Sequence, residues 1–256
     1  MDFAADILIV LGAAFGAGLV DAMVGGGGLI QLPALFGVYP NTPPAYLLGT
    51  NKLSGLFGTA SAVVRFSRHV VIPWRALTPL AVVTFLGAMA GALTATHTPA
   101  HVFRPLVPVL LVGVLVYLLR SKSLGTEHRP LAFAGRHHGL GAVWIAAIGF
   151  YDGFFGPGTG SFLMFVFVRL YGFDFLNAAA SARVLNVATN VAALLLFGSH
   201  GTVLWGLGAG MAVCNIAGAL LGTRLALKGG SHFVRKVFVG VVSMLIVRTA
   251  WTAFTG

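Results

Sequence analysis

The chain has 256 residues, of which 57% are hydrophobic and only 9% charged, and its mean hydropathy is +0.92. Soluble domains carry about 25% charged residues, so a soluble globular domain is excluded. The formal net charge of +10 does not point to nucleic acid. Arg65, Arg68, Arg75, Arg120, Lys122, Arg129, Arg136, Arg224, Lys228, Arg235 and Lys236 sit at or near the ends of apolar runs, as topology-setting loop charges do.

In chain order, the first apolar segments are Ile7–Val24, Leu29–Val38, Pro44–Phe66, Pro73–Ala95 and Val102–Leu119. A basic linker, residues 120–138, follows. Five more segments run Leu140–Phe155, Ser161–Tyr171, Phe175–Phe197, Val203–Ala226 and Phe233–Ala253. Ala76 to Thr96 is 21 residues without a charged side chain, and Gly201 to Thr223 is 23. At about 1.5 Å rise per residue each crosses a hydrocarbon core of about 30 Å. The second segment of each half is too short to cross alone. The N-terminal MDFAADILIV carries acids where a signal peptide has a basic stretch, so no cleavable signal is expected. Cys214 is the only cysteine, which excludes an internal disulfide or a thiolate cluster.

The two sets of segments are copies of each other. At an offset of 131 residues Asp21 falls on Asp152 (21 + 131), Gly25 on Gly156, Gly27 on Gly158, Lys52 on Arg183, His69 on His200 and Trp74 on Trp205. Gly87 and Gly91 fall on Gly218 and Gly222, and His101 and Arg104 on His232 and Arg235. Apolar matches are cheap, but Trp, His, Asp and Arg matching in one register mark an internal duplication. Arg65, Arg68 and Arg75 flank one connection in the first half, and its counterpart around His200 has no Lys or Arg. The next connection reverses that bias. By the positive-inside rule the halves are inverted and both termini lie outside. The expectation is an all-α polytopic membrane protein of two inverted repeats, residues 1–119 and 139–256. Residues 120–138 form the cytoplasmic linker. Each repeat then makes an odd number of net crossings, five, or three if its first two segments are re-entrant.

VDAMVGGGG (Val20–Gly28) and YDGFFGPGTG (Tyr151–Gly160) interrupt the first segment of each repeat. Four glycines cost roughly 3–4 kcal/mol of helix propensity relative to alanine, and Pro157 also removes a backbone donor. Broken helices in inverted repeats are a transporter architecture, with a site near the midplane. The short helices that follow aim N–H groups and positive dipole ends inward, which suits an anion. The alternative, close helix packing by small residues, is the better account of Gly87, Gly91, Gly218 and Gly222.

Asp21, Lys52, Asp152 and Arg183 lie well within apolar segments, with 31 residues from acid to base in each half (52 − 21 and 183 − 152). At about 2.5–3.5 kcal/mol each, on the order of 10 kcal/mol together, they cannot face lipid. They are either static ion pairs that fix helix register or a site. As a site, Lys52 and Arg183 face each other as ligands of an anion, with Asp21 and Asp152 as coupling or counter-ion residues. The amides of Gly25, Gly26, Gly27, Gly28, Gly156, Gly158 and Thr159, with Pro157 shaping the second break, complete it. Thr50, Asn51, Asn186 and Asn190 add polar groups, and Gln31 and Ser161 further donors. His69, His200, Trp74 and Trp205 read as interface anchors. No phosphate loop, zinc-protease or hydrolase motif occurs, so neither an enzyme nor a cofactor is expected.

GAGLVDAMVGGGGLIQLPAL, LGTNKLSGLFGTASAVVRF, GFYDGFFGPGTGSFL and AAASARVLNVATNVAALLLF resemble the TauE/SafE family of bacterial membrane transporters, also described as sulfite or organosulfur exporters. The resemblance covers nearly the whole chain. It implies multi-pass insertion in the bacterial inner membrane and export of small sulfur-containing anions, driven by the ion gradient. One departure is Arg183, where members often carry Lys; its planar fork suits an oxyanion edge. The rival readings are a cation or divalent-metal permease using Asp21 and Asp152, and a non-transporting membrane protein with static buried ion pairs. The partners expected are a small anion and the bilayer, with no nucleic acid.

Overall fold

The computed structural model describes residues 3–95, 130–131 and 135–255, and all of its described elements are helices. The fifth segment of the first repeat (Val102–Leu119) and most of the linker, with Arg104, Arg120, Lys122 and Arg129, lie outside the described residues. The first repeat contains α1 (Phe3–Val24), α2 (Gly28–Val38), α3 (Pro44–Ser67) and α4 (Trp74–Ala95). The second contains α5 (Gly135–Phe154), α6 (Thr159–Leu170), α7 (Phe175–Ser199) and α8 (Trp205–Thr255). Adding 131 to the first set of starts gives 134, 159, 175 and 205, so the duplication read from the sequence is also a duplication of helices. α5 begins inside the stretch expected as linker.

Local chemistry sets several of these boundaries. Pro44 occupies the first position of α3, where its missing N–H costs nothing. Asp174 caps α7 by accepting from the Asn177 amide at 2.7 Å. α8 runs through two apolar segments and breaks at Gly230, whose φ of 66° takes it out of the helix.

Among the described residues, four stretches are long and apolar enough to cross a membrane: Ala5–Val24, Trp74–Ala95, Phe175–Ser199 and Trp205–Gly240. At about 1.5 Å per residue, α2 (11 residues) and α6 (12 residues) do not reach across. Leu8, Val82, Leu86, Val143, Leu195 and Val213 are exposed on outer faces, whereas Lys52, Asp152 and Arg183 are buried. Apolar side chains outside and charges inside are what a hydrocarbon solvent demands. Trp74 and Trp205, each half exposed, stand at the first residues of α4 and α8.

The repeats are interlocked. α1 packs chiefly on α8, and its counterpart α5 packs on α4, so the first helix of each repeat lies against the fourth of the other. Small residues make both seams close. A Cβ on Gly87 would come within 2.7 Å of the Ala146 carbonyl, and one on Gly91 would run into the Phe150 carbonyl. In the opposite seam Gly218 and Gly222 meet the carbonyls of Phe15 and Leu19 in the same way. These four glycines pack helices, as small residues do in membranes.

Candidate functional site

α1 stops at Val24 because the next two residues turn to positive φ, 74° at Gly25 and 124° at Gly26. The second break does the same at Gly156 (φ 92°) and Gly158 (φ 88°). Glycine alone adopts these angles without strain. The two breaks touch. A Cβ on Gly25 would collide with the Gly160 and Ser161 backbone, and one on Gly160 would lie 2.7 Å from the Gly25 Cα. Ser161 Oγ lies 2.9 Å from the Val24 carbonyl and 2.7 Å from the Gly25 carbonyl, as donor to acceptor. Backbone groups freed by one break are thereby partnered by the other, as burial in a membrane protein requires.

The two breaks differ in what holds them. In the first, Asp21 Oδ1 accepts from the amides of Gly26 (3.1 Å) and Gly27 (3.2 Å), and Oδ2 from Thr59 Oγ1 (3.4 Å). A carboxylate thus sits at the positive end of α2. In the second, Pro157 replaces the glycine equivalent to Gly26 and offers no N–H. There Asp152 turns to Lys52 at 2.8 Å, and the Tyr151 hydroxyl donates to the Pro157 carbonyl at 2.7 Å.

Each base therefore pairs with the acid of the other repeat. Lys52 meets Asp152, while Arg183 Nε lies 3.8 Å from Asp21 Oδ2 and Arg183 Nη2 donates to the Asp21 carbonyl. Lys52 and Arg183 do not face each other as an open cationic pair; each already has a counter-charge. Arg183 Nε and Nη1 have no hydrogen-bond partner among the described residues.

A cavity of about 40 Å³ opens where the breaks meet. Of the expected site residues, Asp21, Gly26, Gly27, Gly28, Asn51, Lys52, Asp152, Gly156, Gly158, Thr159, Asn186 and Asn190 line it. Gly25, Thr50, Pro157 and Arg183 do not. Gly25 is spent on the crossing. Thr50 donates to the Tyr46 carbonyl and accepts from the Leu204 amide. Arg183 is fully buried beside Gly160, whose added Cβ would stand 3.3 Å from Nη1. Thr59, Gly55, Gly160 and Asn215 also line the cavity without having been singled out from the sequence, and Gln31 proves to be a wall residue. Thr59 had a signal, since it is the repeat equivalent of Asn190 (59 + 131).

The family model described as "Sulfite exporter TauE/SafE" matches residues 10–249. The chain belongs to the TauE/SafE family. It is 38% identical over 241 residues to a probable membrane transporter protein, ORF9, of a Sinorhizobium species, covering 92% of this chain and 89% of that one. It is 39% identical over 231 residues to the probable membrane transporter protein YfcA of Escherichia coli, covering 90% and 84%. A probable membrane transporter protein of Haemophilus influenzae is 36% identical over 252 residues, covering 98% and 97%. No solved structure matches. The TauE/SafE chain is thus a membrane transporter, and the interlocked breaks are a feature of that transporter's core.

Proposed function

We propose that this transporter moves a small sulfur-containing oxyanion, sulfite or a compact organosulfonate, out across the bacterial inner membrane through the cavity between its repeats. The observation that carries the reading is the cavity wall itself. A buried lysine, the glycine-rich breaks of two helices and the residues Asn51, Asn186, Asn190 and Asn215 line one small space, with Asp21 and Asp152 beside them. Its volume, about 40 Å³, holds a few bodies the size of water. That favours sulfite over a longer sulfonate.

Lys52 is the ligand in this reading and Asp152 its resting counter-ion. An entering anion competes with Asp152 for the ammonium, at a site already dry enough for charge–charge contacts to be strong. Asp21 holds the first break closed over its own amides and shows what a carboxylate finds there. Arg183 anchors that carboxylate from behind. The repeats are inverted, both termini lie outside and the basic linker is cytoplasmic; the distribution of loop Lys and Arg supports this. Negative-inside potential then favours anion exit by about 2.3 kcal/mol per charge per 100 mV.

The test is thermal stabilisation of the purified protein by sulfite, sulfate, sulfoacetate, taurine, chloride and divalent cations. Lys52→Ala, Arg183→Ala and the paired Lys52→Ala/Asp152→Ala variant run beside the parent. The expected result is stabilisation by a sulfur oxyanion that disappears whenever Lys52 is absent. Stabilisation by divalent cations alone, or an oxyanion response that survives loss of Lys52, would overturn the assignment.

A further inference from the structure

Gln31 is a polar cavity residue outside the two ion pairs. It lies in the first turn of α2, behind the first break, 1% exposed, and lines the cavity. Its Oε1 accepts from Asn215 Nδ2 at 3.0 Å and from Ser54 Oγ at 3.4 Å. These donors come from α8 and α3, so the amide is gripped from two sides. Turning it over would set its NH2 against that of Asn215. With the oxygen so engaged, Nε2 is left buried without a hydrogen-bond partner among the described residues. Buried donors in native proteins are rarely left unmet, and this one belongs to a residue of the cavity wall.

The repeat supplies an independent observation. Gln31 corresponds to Phe162 (31 + 131), and Asn215 to Thr84 (84 + 131), whose hydroxyl bonds the Leu80 carbonyl of its own helix. The amide pair is therefore made once, whereas each member of the ion pairs has an equivalent in the other repeat. The pair thus sets the two halves of the cavity wall apart, as Tyr151 with Pro157 does at the second break.

We infer that Gln31 Nε2 donates to an oxygen of the transported oxyanion and determines specificity for it, and that Asn215 is its positioning residue. The inference rests on the anion reading above. It requires a substrate that presents an unprotonated oxygen to the amide while its charge is held at Lys52.

Isothermal titration of the purified full chain with sulfite and with sulfoacetate tests it, using Gln31→Met, Gln31→Glu, Asn215→Leu and Gln31→Met/Asn215→Leu. Gln31→Glu keeps the acceptor that Asn215 and Ser54 bond, and with it the local fold, but has no N–H. Gln31→Met removes the donor without adding charge. Both should weaken sulfite binding by about tenfold or more, the worth of one hydrogen bond to a charged group. Asn215→Leu should weaken the parent but add little to Gln31→Met, because it acts through the same amide. If either folded Gln31 variant keeps the parent's affinity within about twofold, the Gln31 assignment fails while the Lys52 cavity stands. Additive losses in the double variant would remove the positioning role from Asn215. If the parent binds neither anion, the anion reading fails, and this inference with it.

Discussion

Lys52 and Arg183 occupy equivalent positions, carry the same charge, and are put to different use. The lysine meets a single carboxylate on the cavity wall. The arginine, with more donors on a planar head, holds both the carbonyl and the carboxylate of Asp21 from a fully buried position. Removing either partner of a buried pair leaves the other charge stranded, at a cost of about 3–5 kcal/mol. Lys52→Ala should therefore lower unfolding stability in detergent by about that much. Lys52→Ala/Asp152→Ala should recover most of it, because no stranded charge remains. Equal stability of the single and double variants would show that the pair is not the resting state. The sequence placed all four charges inside the membrane, and the offset of 131 matched acid to acid and base to base. It left partner choice open, because equal spacing of 31 residues in each half is compatible with pairing within a repeat or across repeats.

Helix starts and stops were legible because glycine and proline act locally. The expected break after Val24 is the end of α1, and Pro44 opens α3. What glycine does at a given place is another matter. Gly25 combines φ 74° with a collision against Gly160, and Gly91 has no room beneath the Phe150 carbonyl, whereas Gly12 in α1 has nothing within 4 Å. Gly25→Ala and Gly91→Ala should abolish or sharply reduce recovery of folded protein, read by size-exclusion chromatography and melting temperature. Gly12→Ala should leave melting unchanged or raise it, since alanine is favoured over glycine in a helix by roughly 0.5–1 kcal/mol. A loss of folded protein in Gly12→Ala equal to that in Gly91→Ala would contradict the seam geometry. The sequence marked Gly91 as a packing glycine and the run at Gly25 as a break, but not what each would strike. For both, the obstacle is the backbone of a helix distant in the chain.

For the molecule as a whole, the interlocking of first and fourth helices makes the breaks common property of the two repeats, so neither half closes a cavity alone. An anion that displaces Asp152 from Lys52 adds its own negative charge to a site whose two acids and two bases sum to zero. Transport on the proposed reading is therefore electrogenic. In proteoliposomes loaded with sulfite, an imposed potential, negative inside, should accelerate efflux, and collapsing it should slow efflux toward the rate set by concentration alone. Efflux indifferent to potential would point to a proton moving with the anion, with Asp152 its first candidate carrier.

The amino-acid order by itself determined a membrane-embedded, all-helical, duplicated chain, where its helices break, and which four charges must be kept from lipid. These follow from composition, length and local backbone preference, which need no knowledge of neighbours. Only the tertiary structure decided that the breaks cross at Gly25 and Gly160, that each base takes the acid of the opposite repeat, and that Lys52 reaches the cavity while Arg183 stands behind it. It also brought Gln31 against Asn215, 184 positions away along the chain. Contacts of this kind arise from how the helices of one repeat fit those of the other. The differences Gly26/Pro157, Lys52/Arg183 and Gln31/Phe162 are written in the sequence, but what each residue meets depends on packing between distant helices.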